Sequence, residues 1–149
     1  MEMQKTLIII KPDALVLGLA GRIISMLEKN RLRIIGLKMA RLNRKTARRF
    51  YGAHKGKPFY VPLVEFMTSN PCFLMVLEGK DAIKRARKLM GKTNPAEAKP
   101  GTIRKLYATD NRHNVIHGSD SPESAEREVK FFFSKKELHG WKNKTYRIK

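Results

Sequence analysis

The residues best suited to chemistry lie late in the chain, around one histidine. A short apolar run, Val115 and Ile116, leads to His117, and a polar turn follows it. Ser121 is well placed to cap a helix through its hydroxyl, and Pro122 suits the first helical position, where no backbone N–H is needed. This pattern predicts that His117 lies at the end of a strand, beside a tight turn that holds its side chain still.

The helix predicted after this turn offers His117 a partner. Ala125, Val129 and Phe132 recur at helical spacing and form its apolar face, on which Glu128 also lies. A carboxylate on a packed face needs a partner, because burying an unpaired charge is costly. An isolated histidine is usually a surface residue or a hydrogen-bonded core residue. A histidine held by Glu128 through one ring nitrogen would instead keep its other nitrogen free as a nucleophile.

The first predicted strand leads into a second candidate site residue. Thr6 to Ile10 is a near-continuous apolar run, as expected for a strand buried on both faces. Pro12 ends this strand because it has no N–H for the ladder, and Lys11 therefore stands at the strand's carboxyl end. A lysine is most often simply solvated, but one that adjoins a buried strand can hold an anion at the edge of the core.

Apolar periodicity and turn residues divide the rest of the chain into alternating elements. We predict strands at 33–42, 72–77 and 114–117, helices at 19–30, 44–51, 62–67, 81–90 and after Ser121, and a long loop at 93–114. Gly91 is expected to end the helix before that loop. This order is that of a ferredoxin-like βαββαβ sandwich, an α/β (α+β) fold with a four-stranded antiparallel sheet and helices covering one face.

Length and cysteine content set limits on the class of protein. The 149 residues predict a single domain, 1–149, with a basic tail from about 134 to 149. One cysteine, Cys72, excludes an intrachain disulfide and a cysteine-based zinc site. Because no apolar run approaches the length of a membrane span and no signal-like core stands at the N-terminus, we expect a cytoplasmic protein without a membrane span.

The unusual feature of the composition is its charge. There are 32 lysines and arginines against 13 aspartates and glutamates, which gives a formal net charge of +19. A chain this basic attracts polyanions, whether nucleotides, nucleic acids or anionic lipid surfaces. Salt-sensitive binding to DNA or RNA is therefore a second hypothesis beside any activity on nucleotides.

The segment Asn-Val-Ile-His-Gly-Ser-Asp-Ser at 114–121 resembles the active-site signature of nucleoside diphosphate kinases. Other motifs of that family occur in the same order and at similar spacing over almost the whole chain. They are Lys11-Pro12-Asp13, Tyr51 with Pro58-Phe59, Arg87, Thr93-Asn94-Pro95, the run from Lys99 to Arg104, and Glu128. On these motifs the sequence is identified as a member of the family.

The resemblance implies a ping-pong transfer of the γ-phosphate of a nucleoside triphosphate, typically ATP, to a nucleoside diphosphate through a phosphohistidine on His117. Glu128 would orient His117, with Ser119 in support, and Lys11 would contact the transferred phosphoryl group and the ribose. The expected catalytic residues are therefore His117, Glu128, Lys11 and Ser119. The expected substrate-binding residues are Lys11, Tyr51, Phe59, Arg87, Thr93, Arg104 and Asn114.

The resemblance also assigns parts of the nucleotide to these residues. The Tyr51 hydroxyl would lie beside the phosphate, Phe59 would stack on the base and Asn114 would bind the ribose hydroxyls. Arginine suits the outer phosphates, which Arg87 and Arg104 would hold together with Thr93, because its planar fork meets two oxygens at once. Mg²⁺ is the expected cofactor. Since the sequence offers no carboxylate cage for it, the ion should arrive with the nucleotide, and no metal-ligating residues are predicted.

Some positions depart from the family pattern. Leu106 lies in a segment, Lys105 to Tyr107, where the family commonly has Gly-Asp-Phe or a similar sequence. Asn111 stands where the family often places an apolar residue against the base, and Arg112 where it often has glycine. If that position requires positive φ, Arg112 is strained or the loop differs. These changes concern the base side of the pocket rather than the phosphate chemistry.

The other histidines and the assembly complete the expectations. His54, His113 and His139 have no partner at metal-ligand spacing, and we predict all three to be exposed and non-catalytic, with His113 near the pocket rim. The family resemblance implies a homo-oligomer, with a hexamer favoured over a tetramer and Pro95 near the threefold contact. The alternatives are a nucleic-acid-binding protein on the same fold and a scaffold without activity. The first lacks the paired strand aromatics expected of it, and the second is disfavoured by the full set of phosphate-site residues.

Overall fold

The computed structural model describes residues 3–142 of the chain. Its strands are β1 (Met3–Ile10), β2 (Arg33–Ala40), β3 (Cys72–Lys80) and β4 (Ile116–Gly118). Its α-helices are α1 (Pro12–Val16), α2 (Ala20–Lys29), α3 (Arg44–Phe50), α4 (Tyr60–Thr68), α5 (Ala82–Met90), α6 (Ile103–Tyr107) and α7 (Pro122–Phe132). Among these described helices, none has the length and apolar character needed to cross a membrane. Residues 143–149 of the predicted basic tail lie outside the described range.

The four strands form one sheet in the order β2-β3-β1-β4, and every neighbouring pair is antiparallel. The predicted ferredoxin-like arrangement is thereby confirmed. β1 lies between β3 and β4, and its Ile9 is opposite His117 in the register. The end of β1, which leads into Lys11, is therefore next to the strand that carries His117.

Helices cover both faces of the sheet, so the prediction that they cover one face is wrong. On one face, α2 and α5 pack over a core that includes Ile8 and Ile10 of β1. On the other face, α3, α4 and α7 pack over a core that includes Leu7 and Ile9. Successive residues of a strand point to opposite faces, which is why the apolar run of β1 is uninterrupted. With both faces covered, the described part of the sheet offers no open surface on which RNA bases could stack.

Two short helices are absent from the sequence prediction. α1 begins directly after Lys11, with Pro12 as its first residue. α6 lies inside the segment 93–114, which is predicted as a loop, and the Thr102 side chain caps it by accepting a hydrogen bond from the Lys105 N–H at 3.3 Å. Each helix has five residues, which is too few for an apolar period to be recognised.

Two predicted helix boundaries are confirmed, one at the start of α7 and one at the end of α5. The Ser121 Oγ accepts a hydrogen bond from the Ser124 N–H at 3.1 Å and so caps α7, with Pro122 at the first helical position. Gly91 ends α5 with a φ of 82°. A Cβ at this glycine would lie 2.6 Å from the Thr102 Oγ1. Gly91 therefore allows α5 and the start of α6 to approach each other closely.

Candidate active site

A cleft of about 1260 Å³ opens at the carboxyl end of β1. Of the ten residues that the sequence singles out, nine line this cleft, and Ser119 is fully buried behind it. The nine come from separate parts of the fold, between the end of β1 and α7: Lys11, Tyr51, Phe59, Arg87, Thr93, Arg104, Asn114, His117 and Glu128. The fold therefore brings together in one place residues that are scattered along the chain.

One ring nitrogen of His117 is occupied by a carboxylate. Its Nε2 lies 2.8 Å from the Oε1 of Glu128, which α7 presents from the face it packs on the sheet. An ionised carboxylate can only accept a hydrogen bond, so Nε2 carries the proton. The neutral imidazole then has a free lone pair on Nδ1. The Phe50 ring, 5.5 Å from the imidazole between centroids, packs edge-on beside it.

Ser119 fixes the position of that carboxylate. Its Oγ donates to the same Glu128 Oε1 at 2.9 Å and accepts a hydrogen bond from the Leu7 N–H of β1 at 3.1 Å. The hydroxyl is fully buried and therefore has few other positions available. Ser119 thus links the backbone of the central strand to the group that holds His117.

The backbone just before His117 adopts an uncommon conformation. Val115 has a φ of 64°, and the Ile116 N–H donates to the Asn114 carbonyl at 2.8 Å, which closes a γ-turn around Val115. Positive φ is a marked outlier for a β-branched residue and costs on the order of 1–3 kcal/mol. The turn is held from outside, because the Val115 N–H donates to the Asp13 Oδ2 at 3.2 Å and its carbonyl accepts from the Lys11 N–H at 2.9 Å.

Three cationic side chains surround the inner end of the cleft. Arg104 donates to the carbonyls of Gly91 and Ile116 at 3.0 and 2.8 Å, and Arg87 donates to the Gly118 carbonyl at 3.1 Å. Burial, and the nearby charge of Arg87, lower the pKa of Arg104 to about 10. Burial, and next the charge of Arg104, lower the pKa of Lys11 to about 8, although Asp13 opposes this shift. Positive charges held this close repel one another, and a bound anion would relieve that repulsion.

Lys11 and Asn114 form the side of the cleft nearest to β4. The Lys11 Nζ donates to the Asn114 Oδ1 at 2.8 Å, and the Asn114 Nδ2 donates to the Asn111 carbonyl at 3.0 Å. Both side chains are buried. Their positions are consequently set before any ligand binds.

Several buried polar atoms at the cleft lack a hydrogen-bond partner among residues 3–142. They include the Tyr51 hydroxyl, the His54 Nδ1 and the Arg104 Nε. Burial is the main reason why the pKa of Tyr51 is raised, with the charges of Cys72 and Glu128 adding to it, so this hydroxyl stays protonated and can donate. Buried polar groups in folded proteins are almost always satisfied. The residues that carry these three atoms all line the cleft, where a bound polar ligand would offer them partners.

The outer end of the cleft is less charged and carries an aromatic platform. Phe59 is 42% exposed, and the His54 ring lies 5.2 Å from it between centroids. Leu63 lines the same side. Across from them the cleft is lined by Asn111 and Arg112, from the segment that precedes β4. Arg112 is not among the described residues with positive φ, so the strain considered for this position does not arise.

The remaining histidines differ from one another. His54 is half-buried and lines the cleft, contrary to its predicted exposure, and its position three residues after Tyr51 is the signal that could have indicated this. His113 pairs with Asp110 at 3.0 Å and packs on Phe66, and it does not line the cleft. His139 is exposed, as predicted. Further cleft residues that sequence reasoning did not identify are Phe50, Asp120, Ser124 and Arg127.

Comparison with known proteins agrees with this geometry. The nucleoside diphosphate kinase family model matches residues 4–138. The nucleoside diphosphate kinase of Pelotomaculum thermopropionicum is 54% identical over 136 residues, which are 91% of this chain and 91% of that protein. That of Thermococcus kodakarensis is 51% identical over 140 residues, covering 92% of this chain and 80% of its own length.

Solved structures show the same likeness. The nucleoside diphosphate kinase of Halobacterium salinarum in complex with CDP superposes with a TM-score of 0.92 at 42% identity, covering 95% of each chain. The Aquifex aeolicus nucleoside diphosphate kinase gives a TM-score of 0.90 at 45% identity and covers 92% of this chain and 99% of its own. Fold and matches together define a phosphotransferase that acts on nucleotides. The chain belongs to the nucleoside diphosphate kinase family, whose reaction moves a phosphoryl group from a nucleoside triphosphate to a nucleoside diphosphate.

Proposed function

We propose that this enzyme carries the phosphoryl group on the Nδ1 of His117 between its two substrates. The observation that supports this most directly is the 2.8 Å contact between the Nε2 of His117 and the Oε1 of Glu128. Because that contact leaves the proton on Nε2, it directs the nucleophilic lone pair to Nδ1.

The two half-reactions balance around this nitrogen. In the first, Nδ1 attacks the γ-phosphorus of the triphosphate, an N–P bond forms, and the P–O bond to the leaving diphosphate breaks. In the second, a terminal oxygen of the acceptor diphosphate attacks the same phosphorus, and the N–P bond breaks to restore neutral His117. Glu128 stabilises the positive charge that the ring carries between these steps, and Ser119 holds Glu128 in place.

The cations of the inner cleft supply electrostatic stabilisation for both steps. Charge in such a transfer spreads over the phosphoryl oxygens, and catalysis depends mainly on position and on opposite charge. Lys11 would contact the transferred group, Arg87 and Arg104 the outer phosphates, and Thr93 would assist them. The unpartnered Tyr51 hydroxyl would donate to the phosphate beside His117.

The nucleoside would lie toward the outer end of the cleft. Phe59 offers an exposed ring for stacking, and stacking on an aromatic face tolerates every base. Asn114, held by Lys11 and by the Asn111 carbonyl, would bind the ribose hydroxyls. This orientation directs the triphosphate to the cationic end of the cleft.

We propose Mg²⁺ as the cofactor, held by the phosphates of the nucleotide. Among the described residues there is no group of three or more histidine, cysteine, aspartate or glutamate side chains that could hold a metal ion. The donor set of the inner cleft is cationic, and such a site accepts a metal that arrives already bound to phosphate oxygens. Mg²⁺ bound there would neutralise part of the phosphate charge.

A cytoplasmic homo-hexamer is proposed as the setting of this reaction, with a tetramer as the alternative. Cys72 is a free thiol, which suits a reducing compartment. β2 is an edge strand, and its Leu37 and Met39 are 52% and 63% exposed, as expected of a surface that another subunit covers. Light scattering on the purified protein should give the mass of six chains of 17.2 kDa each, and the mass of one chain would contradict the proposal.

Labelling with [γ-³²P]ATP tests the phosphohistidine directly. The wild-type enzyme should acquire an acid-labile, alkali-stable label that GDP removes, and ³¹P NMR of the labelled protein should identify the Nδ1 isomer. His117→Ala should acquire no label. His139→Ala, which changes an exposed histidine, should label like the wild type. Label that persists in a folded His117→Ala variant would place the phosphoryl group elsewhere.

Binding of nucleic acid is a second candidate function, favoured by the distribution of charge. Between Glu28 and Glu65 the sequence has eleven lysines and arginines and no aspartate or glutamate. Within this stretch α3 exposes four cations in seven residues, and none of them forms an ion pair with another described residue: Arg44, Lys45, Arg48 and Arg49. Such a surface complements a phosphate backbone.

Two triple variants with equal charge change would test this surface. Binding of a fluorescent 20-nucleotide RNA should weaken steeply with salt in the wild type, because counterions are released on binding. Arg44→Glu/Lys45→Glu/Arg48→Glu should lose at least about tenfold more affinity than Lys80→Glu/Lys84→Glu/Lys88→Glu, whose cations lie on and before α5. Equal losses in the two variants, or no binding by the wild type at low salt, would contradict a binding surface on α3.

A further inference from the structure

Asp13 completes the Lys11-Pro12-Asp13 motif but, unlike Lys11, does not line the cleft. It is the second residue of α1, and its side chain is half-buried. A nucleotide in the cleft would therefore not touch it. Any effect of Asp13 on phosphotransfer must act through other residues.

The side chain of Asp13 binds the turn that precedes β4. Its Oδ2 accepts a hydrogen bond from the Val115 N–H at 3.2 Å, across 102 positions of the chain. The carbonyl of Val115 accepts from the Lys11 N–H at 2.9 Å. Both backbone polar groups of Val115 are thus bound to the corner between β1 and α1.

Val115 needs these partners to keep its conformation. Its φ of 64° is one that a β-branched residue adopts only when its surroundings impose it. The residue is also fully buried, so water cannot replace the Asp13 oxygen as acceptor for its N–H. Without that oxygen, the turn would lose the hydrogen bond that opposes its relaxation.

The turn has a site residue on each side. Asn114, directly before Val115, accepts a hydrogen bond from the Lys11 Nζ at 2.8 Å. His117 lies two residues after Val115 and is opposite Ile9 of β1 in the register. A relaxed turn would shift both side chains relative to Lys11. Phosphoryl transfer is sensitive to such shifts, because its catalysis depends mainly on the position of the reacting groups.

Stability alone does not account for a carboxylate at position 13. Its second oxygen, Oδ1, is buried and has no hydrogen-bond partner anywhere in the described range 3–142. Burial is also the main reason why the pKa of Asp13 is raised, so its surroundings disfavour the charged form. Ionisable groups in unfavourable surroundings of this kind occur most often at functional sites.

We propose that Asp13 is a positioning residue for phosphotransfer, which holds the Val115 turn against the end of β1 and so keeps His117 and Asn114 aligned with Lys11. This role rests on the roles given to those three residues under Proposed function. When the turn relaxes, the nucleophile and the phosphate meet less often at the right distance, so phosphotransfer slows although the cleft keeps all its lining residues.

Asp13→Leu and Asp13→Asn separate the hydrogen bond from the charge. Both variants are uncharged and close to aspartate in size, but only asparagine keeps an oxygen that can accept from the Val115 N–H. With ATP as donor and GDP as acceptor, kcat/KM should fall by at least about tenfold in Asp13→Leu, because the reacting groups are displaced. Asp13→Asn should stay within about threefold of the wild type, because its hydrogen bond is weakened rather than lost.

Hydrogen exchange measured by NMR reports on the turn without any substrate. The Val115 amide should exchange at least about tenfold faster in Asp13→Leu than in the wild type, because its hydrogen bond no longer opposes local opening. Asp13→Asn should restore most of the protection. Val76, in the central part of β3 and equally buried, is the reference amide. Its exchange should change much less than that of Val115.

Glu123 offers a matched control. It follows the proline that begins α7, as Asp13 follows Pro12 in α1. Its side chain is exposed and does not line the cleft. Glu123→Leu should therefore leave both kcat/KM and the exchange of the Val115 amide unchanged.

Three results would overturn this role for Asp13. They are a folded Asp13→Leu variant with the kcat/KM of the wild type, an Asp13→Asn variant that loses as much activity as Asp13→Leu, and a Val115 amide that stays fully protected in Asp13→Leu. If Asp13→Leu does not fold, Asp13→Ala takes its place in the same comparison. Neither readout depends on where the phosphoryl group rests between substrates. A failure of the phosphohistidine proposal would appear only in the labelling experiment.

Discussion

Lys11 and Asn114 are joined by a hydrogen bond of 2.8 Å, although 103 positions separate them in the chain. The bond connects the end of β1 to the turn before β4, and it keeps a buried ammonium at the bottom of the cleft. Burial and the charge of Arg104 lower the pKa of this ammonium to about 8. Its charge is therefore lost within the range in which the enzyme can be assayed.

The first prediction concerns this titration. Above about pH 8 the free enzyme loses the positive charge of Lys11, and phosphate binding weakens, so log kcat/KM should fall with a slope near −1. Lys11→Arg keeps its charge throughout this range and should show no such fall below about pH 9.5, whatever its absolute rate. The pH profile of kcat/KM is measured for the wild type and for Lys11→Arg from pH 6 to 9.5. If the two profiles fall in parallel at alkaline pH, Lys11 is not the titrating group.

We expect the buried Tyr51 hydroxyl to lower the stability of the protein while it assists phosphotransfer. Its hydroxyl is buried without a partner among the described residues, and leaving such a group unpaired costs about 1–3 kcal/mol. Tyr51→Phe should therefore match or exceed the wild type in its free energy of unfolding, while phosphotransfer slows by about tenfold, the effect of one lost charge-assisted hydrogen bond. Urea denaturation and stopped-flow kinetics measure the two effects, and a less stable variant with full activity would refute this role.

At position 115, the stabilities of the alanine and glycine variants should fall in the reverse of their usual order. Alanine at this position keeps the cost of positive φ, whereas glycine adopts φ near 64° without strain. Val115→Gly should therefore be at least as stable as Val115→Ala in urea denaturation. At Val76 in the central part of β3, which is equally buried, glycine should be the less stable by roughly 0.5–1 kcal/mol. The same ranking at both sites would mean that the γ-turn stores no strain.

The Oγ of Ser119 should contribute both to the stability of the fold and to the position of Glu128. In Ser119→Ala the buried Leu7 N–H loses its acceptor and Glu128 loses a donor, so the free energy of unfolding should fall by about 1–3 kcal/mol. Labelling of His117 should slow, because Glu128 can then move away from Nε2. Ser69→Ala removes an exposed hydroxyl and serves as the control. A loss of stability with an unchanged labelling rate would limit Ser119 to a structural part.

Local patterns in the sequence predict the sheet and the histidine turn well. The apolar run before Lys11, the Ser121-Pro122 start of α7 and Gly91 at the end of α5 all act over a few residues, and the structure confirms each of them. The pairing of His117 with Glu128 could also be anticipated, because one helix face and one strand end suffice to suggest it.

Features that depend on distant contacts escape such patterns. The γ-turn at Val115 exists because Asp13, far away in sequence, accepts its N–H, and a β-branched residue has no tendency of its own to adopt it. Which face of the sheet a helix covers is decided by its crossover, so the second helical layer could not be deduced from periodicity. The buried state of the His54 Nδ1 likewise arises from tertiary packing rather than from its basic, exposed neighbours in sequence.

The place of β1 in the sheet has a consequence for how the protein is made. β1 is synthesised before β2, β3 and β4, yet three of its residues, Ile8 to Ile10, pair with a strand that ends at Gly118. Until that strand has left the ribosome, this side of β1 remains an open, apolar edge of the kind that promotes aggregation. The cationic end of the cleft is also completed only when β4 is in place. Nucleotide therefore stabilises the completed chain and gives no support to a nascent one that stops before β4.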